Sequence, residues 1–199
     1  MRTRALLLDT AITVFSQRGI EATSVLEITQ AAGLSNGSFY YHFTDKAELA
    51  DAVARGMAAT LVRETDATMS DIEKGAQRVA AGLMFFISHA VSNPAWGRLI
   101  AHALSEQGEL REQALTSLRH DIQLGVDQGE IDAAPSPALY AVLMGIVIAA
   151  MQERLQHPNA VGIEVTAVDA ILRVLGLRPA RARALTVAAQ KRTEISAIR

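Results

Sequence analysis

Apolar residues recur along this chain at the spacing of helices. Leu8, Ala11, Ile12 and Phe15 stand at i, i+3, i+4 and i+7, one face of a helix over Thr3 to Gln17 that Gly19 stops. Leu49, Ala52, Val53, Met57 and Leu61 repeat along a helix that begins at Asp45 and runs to about Thr65. Val79, Leu83, Phe86 and Ile87 share a face of the next, Ile72 to about Val91, which Ser70 or Asp71 caps and Asn93-Pro94 breaks. A short helix follows over Pro94 to Leu104. Leu115, Leu118, Ile122 and Val126 point inward from Glu109 to Gln128, and Gly129 ends that element. Ser136-Pro137 opens an eighth helix, to Gln156, with a cap and then proline at the first helical position. A ninth covers about Ala160 to Leu175. The expected fold is all-α, with nine to ten helices.

The stretch Thr23 to Leu49 carries the densest local signals. Ser24-Val25-Leu26-Glu27 has the form of a capping box, hydroxyl and carboxylate each satisfying a free amide at a helix start. Leu26 is expected inward with Ala31 or Ala32, and Ile28 beside them. Gly33 supplies the left-handed residue that ends this helix, and Leu34 anchors the turn. Ser35 is a good N-cap for a short helix, Asn36 to Tyr41, whose first turn of Asn36, Gly37 and Ser38 is narrow and polar. Phe39 and Phe43, four apart, share a buried face. Asp45 caps the following helix, with Glu48 as its reciprocal partner. Lys46 lies in that helix's first turn, where the dipole disfavours a cation and a bound phosphate would relieve the conflict. Two helices joined by a short turn containing glycine make a helix-turn-helix, whose second helix enters the major groove by its N-terminal end.

The eighth helix, with its run LYAVLMGIVIAAM, is apolar nearly all round, which marks a buried helix. The ninth carries Val161, Val165, Val168, Ile171, Leu172 and Leu175. Packed against their copies, the two would form a four-helix bundle, so a two-fold homodimer through helices 8 and 9 is expected; the alternative is that they form the core of one chain. Arg178 to Arg199 holds six basic residues against Glu194 and reads as a solvated basic tail, with a short helix over Ala180 to Ala189 as the other option. Arg2 and Arg4 could form a basic arm at the other end.

Composition narrows the chemistry. The 199 residues are 50% hydrophobic and include no cysteine, which permits a sizeable core and excludes disulfides, thiolate metal sites and a thiol nucleophile. The start shows helical periodicity with Asp9 inside its apolar run, unlike a signal peptide. The longest apolar run, Ala138 to Gln152, is short for a membrane span, so a cytoplasmic protein with no membrane partner is expected. The net charge of −2 gives no general support for nucleic-acid binding, so that reading rests on the motif and its caps. No G-x-S-x-G, phosphate-binding glycine loop or H-E-x-x-H is present, and Glu106, Glu109, Glu112 and Asp121 read as a solvated face. His89, His102 and His120 lack metal-ligand spacing. Neither enzyme activity, a cofactor nor a metal is expected.

The segment TSVLEITQAAGLSNGSFYYHFTDKAEL closely resembles the N-terminal DNA-binding segment of TetR-family transcriptional regulators. The match runs through Thr23, Ile28, Ala32, Gly33, Leu34, Ser35, Gly37, Phe39, Tyr40, His42, Phe43, Lys46 and Leu49. It departs at Thr29, usually Ala, and at Asn36, often Lys. The resemblance implies a helix-turn-helix DNA-binding domain over residues 1–49, a connecting helix over about 45–65, and a ligand-binding and dimerisation domain over residues 50–199. Such a protein would be a repressor released from a palindromic double-stranded operator by a lipophilic or aromatic effector. Thr23, Ser24, Tyr40, His42 and Lys46 would hold phosphates, while Ser35, Asn36, Gly37, Ser38 and Tyr41 would approach bases or backbone. The resemblance also implies an effector pocket among helices 5 to 8, where Met84, Phe85, Phe86, His89, Trp96, His102, Tyr140 and Met144 are the candidates, with Met151 and His120 beside them. A helical binding or assembly protein without DNA affinity is the alternative, motivated by the acidic balance of the N-terminal segment.

Overall fold

The computed structural model describes residues 2–92, 94–105 and 109–196; the side chains of Ala58, Ala95, Trp96, Glu109, Leu110 and Ser196 fall outside that description. Ten helices make up the described residues: α1 (Arg2–Arg18), α2 (Val25–Ala31), α3 (Asn36–Tyr40), α4 (Lys46–Thr68), α5 (Gly75–Ala90), α6 (Pro94–Ser105), α7 (Glu109–Asp127), α8 (Pro137–Gln156), α9 (Ile163–Val174) and α10 (Pro179–Ser196).

Two apolar clusters organise them. The head cluster joins Leu7, Ala11 and Phe15 of α1 to Ile28 of α2, Phe39 of α3, Phe43, and Leu49 and Val53 of α4. Each large side chain removed from water there contributes about 2–3 kcal/mol. Leu99 of α6 reaches into this cluster, so the body touches the head directly. The body cluster gathers around α5, which packs against α4, α7, α9 and α10. α5 meets α7 at Gly75 and Gly125, where a Cβ on Gly75 would lie 2.1 Å from the Gly125 nitrogen.

The pattern of apolar residues locates most of these elements, and the departures have physical causes. Leu26 is 52% exposed, not inward: α2 is only seven residues long and buries one stripe, through Ile28 and Thr29. α5 begins at Gly75, not Ile72. Its free amides are met from the end of α7, Gly75 N–H donating to Gln128 Oε1 at 3.0 Å and Ala76 N–H to Glu130 Oε2 at 3.4 Å. Ile72 instead closes a turn with Met69. Arg2 and Arg4 belong to α1, with Arg4 over the Phe43 ring at 5.1 Å, so no flexible arm forms there.

The largest departure is α10. Arg178 onward is no solvated tail but an 18-residue helix whose Ala182, Leu185, Thr186 and Ala189 are buried at i, i+3, i+4 and i+7 against the body. Arg192 fastens it, donating to the Thr68 carbonyl and pairing with Asp71. α8 has the predicted bounds and buries Leu143, Met144, Val147, Ala150 and Met151. Ala138, Ala141, Val142, Gly145 and Ala149 form an exposed stripe on its other side. Among the described residues α8 alone is long and apolar enough to cross a bilayer by length and composition, with Glu153 and Arg154 ending its uncharged run after Gln152.

Candidate nucleic-acid interface and body cavity

The front of the head is built by caps. Ser24 Oγ accepts from Glu27 N–H at 3.2 Å, and Glu27 Oε2 accepts from Ser24 N–H at 2.8 Å, closing the capping box at the start of α2. Arg18 holds the other carboxylate oxygen at 2.7 Å. The Ser24 backbone and hydroxyl donors hold the Glu27 carboxyl below its usual range, with Arg18 adding to the effect. At the far end, Leu34 N–H donates to Thr29 O at 2.8 Å and Gly33 N–H to Gln30 O at 3.1 Å. That is a Schellman closure, and Gly33 at φ 65° supplies its left-handed residue.

Ser35 then caps α3, accepting from Ser38 N–H at 3.2 Å. Phe39 is fully buried beneath, which pins the helix to the head. Ser35, Asn36 and Gly37 are exposed, and a Cβ on Gly37 would meet only Ser35 Oγ, at 3.7 Å. Ser38 and His42 are half-buried. Tyr40 is 60% and Tyr41 85% exposed, two large aromatic rings left in water beside a bare helix start. Folding alone gives no reason to expose them.

Two expected phosphate holders point elsewhere. Thr23 is buried, and its hydroxyl donates to Gly19 O at 2.7 Å. The Lys46 ammonium donates to the carbonyls of Ile20 and Thr23 at 2.7 Å each and of Glu21 at 3.3 Å. Its three donors are thereby occupied, and the cation staples the α1–α2 loop to the start of α4. Asp45 caps α4, accepting from Glu48 N–H at 2.8 Å. Glu48 does not return to Asp45; its carboxylate accepts from the Thr44 amide at 2.6 Å, which keeps that carboxyl below its usual range.

A cavity of about 60 Å³ lies in the body between α4, α5, α6, α7 and α8. Phe86 and Met144 of the expected set line it. Met84, Phe85 and His89 do not, because the cavity face of α5 runs through Arg78, Val79, Gly82, Leu83 and Phe86, and His102 and Tyr140 do not either. Met84 packs in the core, Phe85 stacks on His89 at 5.3 Å, and His89 and His102 are exposed. Tyr140 lies under Arg119 at 5.3 Å, and the Trp96 side chain is outside the described residues. Neither Met151 nor His120 lines the cavity.

The cavity has a polar end that composition does not reveal. Asp121 and Arg78 pair there at 2.5 Å, with Thr65, Asp66 and Ser117 alongside. Asp121 is buried, not on a solvated face. Burial raises its carboxyl above the ordinary range against the pull of Arg78. The available signal is its place beside Leu118 and Ile122 in the inward repeat of α7. Ser117 Oγ donates to Asp66 at 3.2 Å, so one carboxylate comes from α4 and the other from α7.

A buried-core head presenting a capped two-helix unit, carried on a helical body, defines an all-α helix-turn-helix protein. The chain belongs to the TetR family: the profile for "Bacterial regulatory proteins, tetR family" matches residues 7–53, and that for "Tetracyclin repressor-like, C-terminal domain" matches residues 74–189. Among curated relatives, the HTH-type transcriptional repressor KstR2 of Rhodococcus jostii is 47% identical over 53 residues, 27% of this chain and 26% of that protein. The alignment thus spans about a quarter of that relative. Among solved structures, a TetR-family regulator from Pectobacterium atrosepticum has a TM-score of 0.75 at 25% identity, covering 88% of this chain and 94% of that one. RolR in complex with resorcinol has a TM-score of 0.73 at 24% identity, covering 93% of each chain.

Proposed function

We propose that the protein is a DNA-binding transcriptional repressor acting as a two-fold homodimer, each protomer setting α3 into a major groove of a palindromic operator. The observation that carries this is the front of α3: Gly37 open to solvent beside Tyr40 and Tyr41, with both helix ends capped and Phe39 anchoring the back. On this reading Tyr40 and His42 would hold phosphates, with Ser24 doing so only by giving up its bond to Glu27, and Ser35, Asn36, Gly37, Ser38 and Tyr41 would meet bases or backbone. The exposed small-residue stripe of α8 supports a bundle with its copy, with α9 alongside, and the two readers would then lie about 34–36 Å apart or a multiple of that.

The effector enters the body cavity. At about 60 Å³ the cavity is far smaller than the ~300 Å³ at which ligand pockets begin, so binding must spread its walls. The polar end offers two carboxylates that accept from hydroxyls, which suits a small hydroxylated aromatic; the resorcinol held by the RolR structure is of that kind. Spreading the wall on α4 moves the helix that starts at the reader.

Fluorescence anisotropy with DNA from upstream of the gene tests the reading. Nanomolar to micromolar binding that falls steeply with salt is expected, and Tyr40→Phe should weaken it. No binding even at low salt would overturn it. Such a result would favour a helical binding protein without DNA affinity, a reading that the inward turn of Lys46 supports.

A further inference from the structure

A second cleft, of about 450 Å³, runs along the seam between head and body, walled by α1, α4, α5 and α6. Among the described residues it shares no lining residue with the body cavity. Its volume lies within the ~300–1,000 Å³ range of small-molecule sites. The walls are apolar, with Leu8 and Ile12 from α1, Val53 and Met57 from α4, and Ile100 from α6. The lining includes the carboxylate residues Asp9 and Glu64, and among the described residues no Lys or Arg is part of it. His89 is the other titratable group there, its Nε2 3.7 Å from Glu64 with both side chains about half exposed, so the contact is loose. Gly56 sits in the α4 wall, where an added Cβ would meet nothing within 4 Å.

An apolar slot with carboxylates in its lining is complementary to one ligand chemistry. We propose that the seam cleft binds a small amphiphilic monocation, an aromatic or short alkyl body bearing a protonated amine, and that its occupancy biases the position of the head on the body. The apolar part lies against Ile12 and Ile100, and the ammonium meets Asp9 and Glu64. Because the occupant touches α1 and α6 at once, its affinity depends on how those two helices are set. It shifts that setting by its differential affinity alone. DNA held by the head must change amine affinity by the same factor. The site itself does not depend on the DNA-binding reading; only this coupling does.

The test titrates 2-phenylethylammonium, and its neutral counterpart 2-phenylethanol, into the full chain carrying methyl labels on Leu, Ile, Val and Met. Shifts are expected at Leu8, Ile12, Val53 and Ile100, with the ammonium binding about three- to fivefold tighter, as a partly exposed charge contact allows. The Asp9→Asn, Glu64→Gln double variant should bind both probes alike. Gly56→Phe fills the slot from its own wall and should bind neither, with its circular dichroism and melting temperature retained. Shifts confined to Leu104, Met144 and Val147 of the body cavity, equal affinity for the two probes, or wild-type binding by Gly56→Phe would each overturn the site. A DNA affinity that moves by about fivefold at saturating amine is expected; unchanged DNA affinity in a protein that binds both would overturn the coupling and leave the site standing.

Discussion

Thr29 and Asn36 meet side chain to side chain at 2.8 Å across the turn that joins α2 to α3. They are also the two positions at which the helix-turn-helix departs from its family pattern. Thr29 is buried, and its hydroxyl also reaches Leu26 O at 3.0 Å. The hydroxyl donates to Asn36 Oδ1, and its single proton is shared between that oxygen and Leu26 O. The substitutions thus compensate each other: a buried hydroxyl gains a partner, and the first residue of α3 is fixed to the helix behind it.

Thr29→Val keeps the volume and removes the contact. DNA affinity should fall about two- to tenfold, the equivalent of one hydrogen bond. Asn36→Ala should cost less in the Thr29→Val background than alone, because the first change has already freed the amide. A double-mutant cycle by anisotropy reads this; fully additive effects would show that the two residues act separately.

Lys46 should behave as a structural staple. Lys46→Met leaves the Ile20, Glu21 and Thr23 carbonyls without their cation, and should destabilise the head by about 1–3 kcal/mol, as expected for bonds to a charged group. Urea unfolding gives the magnitude. Faster hydrogen exchange at Thr23 N–H, which is bonded to Ile20 O, locates it. Unchanged exchange there would mean that the loop holds itself.

Glu27 and Glu48 give the head an acid-sensitive edge. Both carboxyls are held below the 4.5 of an unperturbed glutamate, so the folded state binds protons less readily than the unfolded one. Their stabilisation is fully present above that value and is lost as pH falls through the lower folded values. Asp121, raised by burial, has the opposite sign: its contribution favours folding below its unfolded value of 3.8 and fades as pH rises through its folded one. Melting curves between about pH 6 and about pH 3 should therefore decline less steeply for the Glu27→Gln, Glu48→Gln variant than for the wild type. Parallel curves would remove both caps from the acid response.

Gly145 sits mid-stripe on α8, with open space where its Cβ would be. If the proposed dimer forms through α8, Gly145→Arg should leave the single chain folded and abolish the pairing by placing a charge in that bundle. Sedimentation velocity would show a monomer at concentrations where the wild type pairs. A dimer that survives the change would move the interface elsewhere.

The sequence makes the caps legible because each is local: Ser24, Gly33, Ser35, Asp45 and Ser136 act within a few residues of themselves. α8 is legible because its apolar run is long. α10 is hidden because its buried positions are two alanines, a threonine and a single leucine, which carry little apolar signal beside Arg178, Arg181 and Arg183. The setting of Lys46 is hidden for another reason: the carbonyls that hold it come from residues more than twenty positions earlier, and the helix-dipole conflict names a need without saying what meets it. The Arg78–Asp121 pair spans 43 positions and two helices, so neither residue's repeat predicts the other.

The meeting of Gly75 with Gly125 decides how the body can move. Two backbones in direct contact leave no slack, so α5 and α7 can rotate about that point but have no side-chain layer to compress or expand. A guest in the cavity between them must find its room at the opposite wall, and α4 stands there with Val62, Thr65 and Asp66. Two missing methyl groups thereby act as a fulcrum, and the lever they leave free is the one whose far end carries the reader.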